Sequence, residues 1–232
     1  MIAPSTQDFI VLNMSMPRDV MRFYLVYRGP LSSMQSKRKK ADRIAIRSQI
    51  APQMKKLWEV NQNLVRLQWN ARVPNNIGTF AVGDTPLFEF KKVPPGPHDQ
   101  MQKDFVDLCA PIPVKGKHFR PLVRKSLDLT CTLNFLFLRQ EEPGALIKKA
   151  GDIDNRIKVF IDALEMPSED LDGDEGDDIN LPLLERDSLV RGIEINTERL
   201  LLPEEDFPNQ VHMVVEVVVH VEHVGPWNMC LL

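Results

Sequence analysis

Several features that mark common classes of protein are missing from this chain of 232 residues. It has only three cysteines (Cys109, Cys131 and Cys230), widely spaced and without a CxxC pair, which argues against a disulfide scaffold or a zinc site and favours a reducing compartment. No apolar run approaches the length that spans a membrane, and the first residues lack the basic and apolar regions of a secretory signal. We therefore expect a cytoplasmic protein that does not interact with membranes.

The sequence also lacks the motifs of several enzyme classes. There is no GxSxG, HExxH or GxxxxGK[ST] motif, so serine hydrolysis and P-loop chemistry lose support and no nucleotide cofactor is expected. The acidic segment 168–180 does not fit a calcium-binding EF-hand, because Glu175 stands where that loop needs glycine and Leu181 where it needs glutamate. We interpret 168–180 as an acidic loop that is too charged to pack, and we predict it to be disordered.

Charge is spread unevenly along the chain, although its formal net value is only −3. Between residues 28 and 56, Asp42 is the only acid among many basic residues, whereas acids dominate between residues 165 and 206. A basic segment can follow a polyanion whatever the total charge of the protein. For Lys37–Lys40, a solvated helix start or loop is an equally open interpretation.

The apolar pattern predicts an α+β fold. Every second residue is apolar along Ser126–Leu138 and along 213–221, which predicts two long strands, and a shorter strand is predicted at Phe23–Tyr27. Helices are predicted over about 35–67, with a break at Pro52, and a long irregular insertion over about 72–121. We predict one domain, 1–232, in which helices pack on a small mixed β-sheet.

The segment 151–164 carries the most informative local pattern. Four apolar residues recur at helical spacing and predict an amphipathic helix: Ile157, Phe160, Ile161 and Leu164. Asp154 falls at the N-cap position of this helix, and Lys158 lies on a different face from the apolar stripe. Simple capping explains such aspartates, and so does a divalent cation that in turn holds a phosphate.

A third acid favours the metal interpretation. Asp187 comes just before a predicted strand, so Asp152 and Asp154 at a helix start and Asp187 at a strand start would supply a cage of hard oxygen ligands for Mg²⁺. At this point the chain resembles a known family. Asp-Ile-Asp-Asn-Arg-Ile-Lys from Asp152, the following Asp-Ala-Leu, and the later Asp-Ser-Leu-Val are similar to the RusA family of Holliday junction resolvases, prophage-type endonucleases. The resemblance covers about residues 127–221.

The resemblance implies a RusA-like fold and a metal-dependent endonuclease that resolves four-way DNA junctions in recombination and repair. Asp152, Asp154 and Asp187 would be metal ligands and catalytic residues, with Mg²⁺ or Mn²⁺ as cofactor, and Lys158 would be a catalytic cation near the scissile phosphate. Branched DNA would be the partner and a homodimer the working form. The basic residues expected to bind the DNA backbone are Lys37, Arg38, Lys39, Lys40, Arg43, Arg47, Lys148 and Lys149.

Two departures from the family pattern keep alternatives open. Arg186 stands where the family has the first of two aspartates, and the acidic segment lengthens the distance from the helix to Asp187. One alternative is a RusA-like module that binds DNA or assists assembly without catalysis. The other is a nuclease that acts on other branched DNA or on RNA through the same metal site.

Overall fold

The computed structural model describes residues 18–31, 37–74, 81–82, 85–86, 105–139, 153–167, 179–201, 211–225 and 227–232. These residues form three α-helices, α1 (Lys39–Val60), α2 (Gln62–Asn70) and α3 (Ile153–Leu164). They also form ten strands: β1 (Arg18–Gly29), β2 (Arg72–Pro74), β3 (Ala81–Val82), β4 (Thr85–Pro86), β5 (Phe105–Asp107), β6 (Ile112–Val114), β7 (Lys117–Phe119), β8 (Leu129–Arg139), β9 (Val190–Arg199) and β10 (Val211–Val221). The predicted α+β class is confirmed.

A four-stranded mixed sheet in the order β1-β10-β8-β9 forms the centre of the fold. Strand β10 pairs antiparallel with both β1 and β8, whereas β9 runs parallel to β8. The predicted alternation is confirmed, because one face of each long strand is buried: Leu129, Cys131, Leu133, Phe135 and Phe137 on β8, and Met213, Val215, Val217, Val219 and Val221 on β10. The helices pack on this buried face of the sheet.

Helix α3 packs on the middle of the sheet through the apolar stripe that the sequence predicts. Ile157, Phe160, Ile161 and Leu164 are all buried. The Phe160 ring meets Phe135 of β8 edge-on, with 5.9 Å between ring centroids, and Tyr27 of β1 at 5.8 Å. Each buried side chain of this size stabilises the fold by about 1.5–3 kcal/mol. The opposite, polar face of α3 is thereby held in one orientation.

Helix α1 runs through Pro52, so the predicted break at that residue is wrong. Pro52 removes a bond to the carbonyl of Ser48, but both residues are exposed, and water can bond that carbonyl instead. The break comes at Asn61. Its side-chain oxygen accepts hydrogen bonds from the backbone N–H groups of Asn63 (3.0 Å) and Leu64 (3.2 Å) and caps α2.

The outer edge of β1 is closed by two glutamines of α1. The amide of Gln53 accepts from the N–H of Val26 (2.9 Å) and donates to its carbonyl (2.7 Å). Gln49, one helical turn earlier, bonds the N–H and carbonyl of Arg28 in the same way, at 3.1 and 2.8 Å. The two side chains take the place of a neighbouring strand and protect this edge from pairing with another chain.

Short antiparallel strand pairs replace irregular chain in the part of 72–121 that the structure describes. Strand β2 pairs with β5, β3 with β4, and β6 with β7, all antiparallel. The remainder of the predicted insertion, 75–80, 83–84 and 87–104, lies outside the described residues, as does 168–178 of the predicted acidic loop.

Candidate functional site

The polar face of α3 carries a row of charged residues. Asp154, Lys158 and Asp162 follow one another at four-residue spacing and therefore lie along one side of the helix. Glu165 comes directly after the helix end. The helix begins at Ile153, so Asp154 is its second residue and lies inside the first turn, exposed to solvent. The predicted N-cap position of Asp154 is therefore wrong by two residues.

The chain that leads to Asp187 is tied to the end of α3. Leu184 forms parallel β-bridges with Val123 and with Glu165. Its N–H donates to the carbonyl of Leu164 (3.0 Å), and its carbonyl accepts from the N–H of Met166 (2.8 Å). These bonds fix the segment three residues before Asp187. A single 3₁₀ turn, Asp187–Leu189, then leads into β9.

As a result, Asp187 meets Lys158 of α3. The Lys158 ammonium lies 2.5 Å from a carboxylate oxygen of Asp187 and 3.2 Å from one of Asp162. The hydrogen bond that Lys158 donates to Asp187 raises the pKa of Lys158, and the same bond lowers the pKa of the Asp187 carboxyl. Both side chains are nearly half exposed, so the ion pair contributes little to stability. Its effect is to position one cation between two carboxylates.

Glu165 completes the acidic surroundings of Lys158. Partial burial raises the pKa of its carboxyl, and the negative charges of Asp187 and Asp162 raise it further, against the opposing effect of Lys158. The Glu165 carboxyl is therefore easier to protonate than an ordinary glutamate. The group formed by Asp154, Lys158, Asp162, Glu165 and Asp187 is called the α3 acidic site below.

Arg47 binds the carboxyl end of α3, next to the α3 acidic site. Its guanidinium donates to the backbone carbonyls of Asp162 (3.1 Å), Ala163 (3.2 Å) and Glu165 (3.4 Å) at the carboxyl end of α3. A cation there satisfies the last carbonyls and the negative end of the helix dipole. Arg47 was predicted to bind DNA, and in this structure its guanidinium is engaged by α3 instead.

The other predicted DNA-binding residues are only partly within the described chain. Lys37, Arg38, Lys39 and Lys40 precede and open α1 and are exposed, and Arg43 of α1 is half-buried. Lys148, Lys149 and the predicted ligand Asp152 lie outside the described residues. Within the described ranges, no three His, Cys, Asp or Glu side chains lie close enough together to hold a metal ion.

Sequence reasoning missed Asp162 and Glu165 as members of the site. Their positions four and seven residues after Lys158 put them on the same face of the helix, which was a sufficient signal. The role of Arg47 had no signal in the sequence, because it depends on the packing of α1 against α3.

No protein-family model, no curated protein and no solved structure matches this chain. The resemblance to the RusA family therefore stays a prediction that rests on the motif. None of the helices in the described ranges combines the length and apolar character needed to cross a membrane.

Proposed function

We propose that the protein is a divalent-metal-dependent endonuclease of the RusA type, which cuts branched DNA and resolves four-way junctions. The observation that supports the proposal most strongly is the 2.5 Å pair between Lys158 and Asp187, residues that are 29 positions apart in the chain. It brings together two of the motif residues that the resemblance assigns to one active site. The helix dipole favours an acid in the first turn, which would account for Asp154 but not for this approach of Asp187.

The chemistry of the donors fits a hard divalent cation. Asp154 and Asp187 offer solvent-exposed carboxylate oxygens, which are the ligands that Mg²⁺ and Mn²⁺ prefer. Asp152, two residues before Asp154, would supply a third carboxylate. Bound there, the metal would polarise a phosphoryl oxygen and lower the pKa of a bound water.

The residues of the chain itself would position the phosphodiester and its charge. Lys158, kept protonated by its raised pKa, would donate to a non-bridging phosphate oxygen and stabilise the negative charge that grows there during hydrolysis. Asp162 would keep the ammonium in place when Asp187 binds the metal.

Recognition of DNA would depend on charge and on two copies of the site. The exposed Lys37–Lys40 stretch at the start of α1 would contact phosphates without reading bases, so binding would weaken steeply with salt. Symmetric nicking of a four-way junction requires two active sites related by a two-fold axis, and the proposal therefore includes a homodimer.

A cleavage panel tests the proposal. Wild-type protein and Asp154→Asn are incubated with four-way junction, flap, linear duplex and RNA, each with Mg²⁺ or Mn²⁺. We expect metal-dependent nicking of the junction by the wild type, and retained binding without nicking by Asp154→Asn. Junction binding without any metal-stimulated nicking by the wild type would point instead to a non-catalytic module. Preferred cleavage of flaps or RNA would reassign the substrate.

A further inference from the structure

An exposed tryptophan lies between two arginines on the outer face of α2. Trp69 is 69% exposed, although large aromatic side chains are normally covered. The guanidinium carbon of Arg72 lies 5.6 Å from the centroid of the Trp69 ring, within the range of a cation–π interaction. Arg66, three residues before Trp69, shares its side of the helix and is also exposed.

The other face of α2 explains why Trp69 is held outward. Leu64 and Leu67 are completely buried, so the helix cannot rotate to cover the indole without exposing both leucines. The remaining tryptophans of the chain, Trp58 and Trp227, are only 5% and 7% exposed. Trp69 is thus a rigidly presented aromatic surface.

The charge around Trp69 favours a negatively charged occupant. From Val60 to Gly83 the sequence contains no Asp or Glu, whereas it includes Arg66 and Arg72. One acid from another segment, Asp107 of β5, pairs with Arg72 across the two strands, and its carboxylate accepts from the N–H of Cys109 (2.8 Å), so the surface stays positive. Tryptophan and arginine are also common at protein–protein contacts, but a protein partner would have to be acidic to match this segment. A flat aromatic ring beside guanidinium groups suits a polyanion that also carries flat rings, which is the chemistry of single-stranded nucleic acid.

We propose that Trp69 and Arg72 form a stacking site for an unpaired nucleobase of single-stranded DNA. The base stacks on the exposed indole, and Arg66 and Arg72 pair with the phosphates on either side. The proposal rests on the proposed function in one respect, the choice of DNA as the nucleic acid. It does not depend on the chemistry of the α3 acidic site.

Intrinsic fluorescence tests the site directly, because Trp58 and Trp227 are buried. Wild-type protein in EDTA is titrated with a thymidine 12-mer, and tryptophan emission and acrylamide quenching are followed. We expect saturable quenching of the emission, together with protection from acrylamide. Trp69→Phe should remove the signal while it keeps most of the affinity, because phenylalanine preserves a ring on which the base can stack.

Affinity measurements with a labelled 12-mer complete the test. Trp69→Ala should weaken binding by about 5- to 150-fold, the range for loss of one stacked base. Tyr24→Ala is the matched control. Tyr24 is 60% exposed but lies on β1, where its hydroxyl donates to Glu216 of β10. This control should change affinity less than about twofold, the level of exposed aromatics that contact no base.

Three outcomes would overturn the inference: no quenching by the 12-mer, unchanged affinity in Trp69→Ala, or dissociation of an oligomer by Trp69→Ala with DNA binding intact. The last result would identify the surface as a protein contact. A protein that binds the 12-mer through Trp69 but never cleaves DNA would support the stacking site and refute the nuclease. If Trp69→Ala cleaves DNA in a metal-dependent way and binds the 12-mer as tightly as the wild type does, the nuclease would be supported and the stacking site refuted.

Discussion

Asp128 and Asp187 occupy similar places in the fold and have opposite properties. They stand at the starts of the neighbouring parallel strands β8 and β9, and each adjoins a short 3₁₀ turn, Lys125–Leu127 or Asp187–Leu189. The side chain of Asp128 is 8% exposed, and burial raises the pKa of its carboxyl to about 6. Asp187 is 47% exposed, and its hydrogen bond with Lys158 lowers its pKa.

The difference shows that partner and exposure, not residue type or position in the sheet, decide what a carboxylate can do. Two side chains lower the pKa of Asp128, half-exposed His223 at 3.8 Å and Lys125, and together they do not offset the effect of burial. Asp187 keeps its full negative charge at neutral pH and remains open to solvent. Of these two aspartates, only Asp187 therefore offers the charged and solvent-exposed oxygen atoms that a metal ion binds.

The largest expected effect is on cleavage of four-way junctions. Asp187→Asn should reduce the Mg²⁺-dependent rate by on the order of a thousandfold, because it removes a charged ligand at the reacting phosphate. Asp128→Asn, the same change at the neighbouring strand start, should leave the rate within about twofold, because the Asp128 carboxyl is buried beside His223 rather than exposed beside Lys158. Single-turnover rates of both variants make the comparison, and equal loss in the two would refute the distinction.

Lys158→Ala should have the next largest effect. Loss of the ammonium removes the charge that stabilises the reacting phosphate, so we expect a rate about a hundredfold lower with junction affinity little changed. Lys158→Arg is the matched control, because it retains a cation that can reach Asp162 and Asp187, and it should recover part of the rate. Near-normal turnover of Lys158→Ala would remove Lys158 from the mechanism.

Asp128→Asn should have a smaller, pH-dependent effect on stability. Because the folded pKa of Asp128 lies above its ordinary value of 3.8, the folded state binds the proton more tightly, and stability is lost as pH rises from about 4 to about 6. Asparagine is neutral and tolerates the left-handed backbone at this residue, where φ is 54°. We expect a gain of about 2–3 kcal/mol at pH 7 and less than about 1 kcal/mol at pH 4.

Chemical denaturation of the wild type and Asp128→Asn at the two pH values measures this effect. The Asp187→Asn variant is the comparison, because the wild-type Asp187 carboxyl has a lowered pKa. Its contribution to the free energy of unfolding has the opposite pH dependence: it is present above the ordinary pKa of aspartate and is lost as the pH falls. A stability difference for Asp128→Asn that is the same at pH 4 and pH 7 would contradict the burial argument.

The elements with regularly spaced apolar residues were predictable from the sequence. The alternating residues of β8 and β10 and the stripe from Ile157 to Leu164 are buried as expected, because burial follows the period of the strand or the helix. Lys158 was also expected on a face other than the stripe, and it lies there. Local spacing was enough for these features.

Features that depend on contacts between distant segments were not predictable in the same way. The helix break expected at Pro52 occurs at Asn61 instead. Helix α1 continues through Pro52 because this residue is exposed to solvent, and its exposure depends on how the helix packs. The bridges of Leu184 to Val123 and Glu165, which bring Asp187 to α3, lie in an irregular segment without periodicity. The contact of Arg47 with the end of α3 joins residues more than a hundred positions apart.

Binding of Mn²⁺, measured by isothermal titration calorimetry, tests most directly whether Asp187 and α3 form a metal site. We expect the wild type and Asp128→Asn to bind Mn²⁺ with similar affinity. Asp187→Asn should bind more than about tenfold more weakly, since loss of even an indirect partner of a metal ligand costs about 10- to 100-fold. Unchanged Mn²⁺ affinity in Asp187→Asn would contradict the assignment of Asp187 and, with it, the proposed nuclease site.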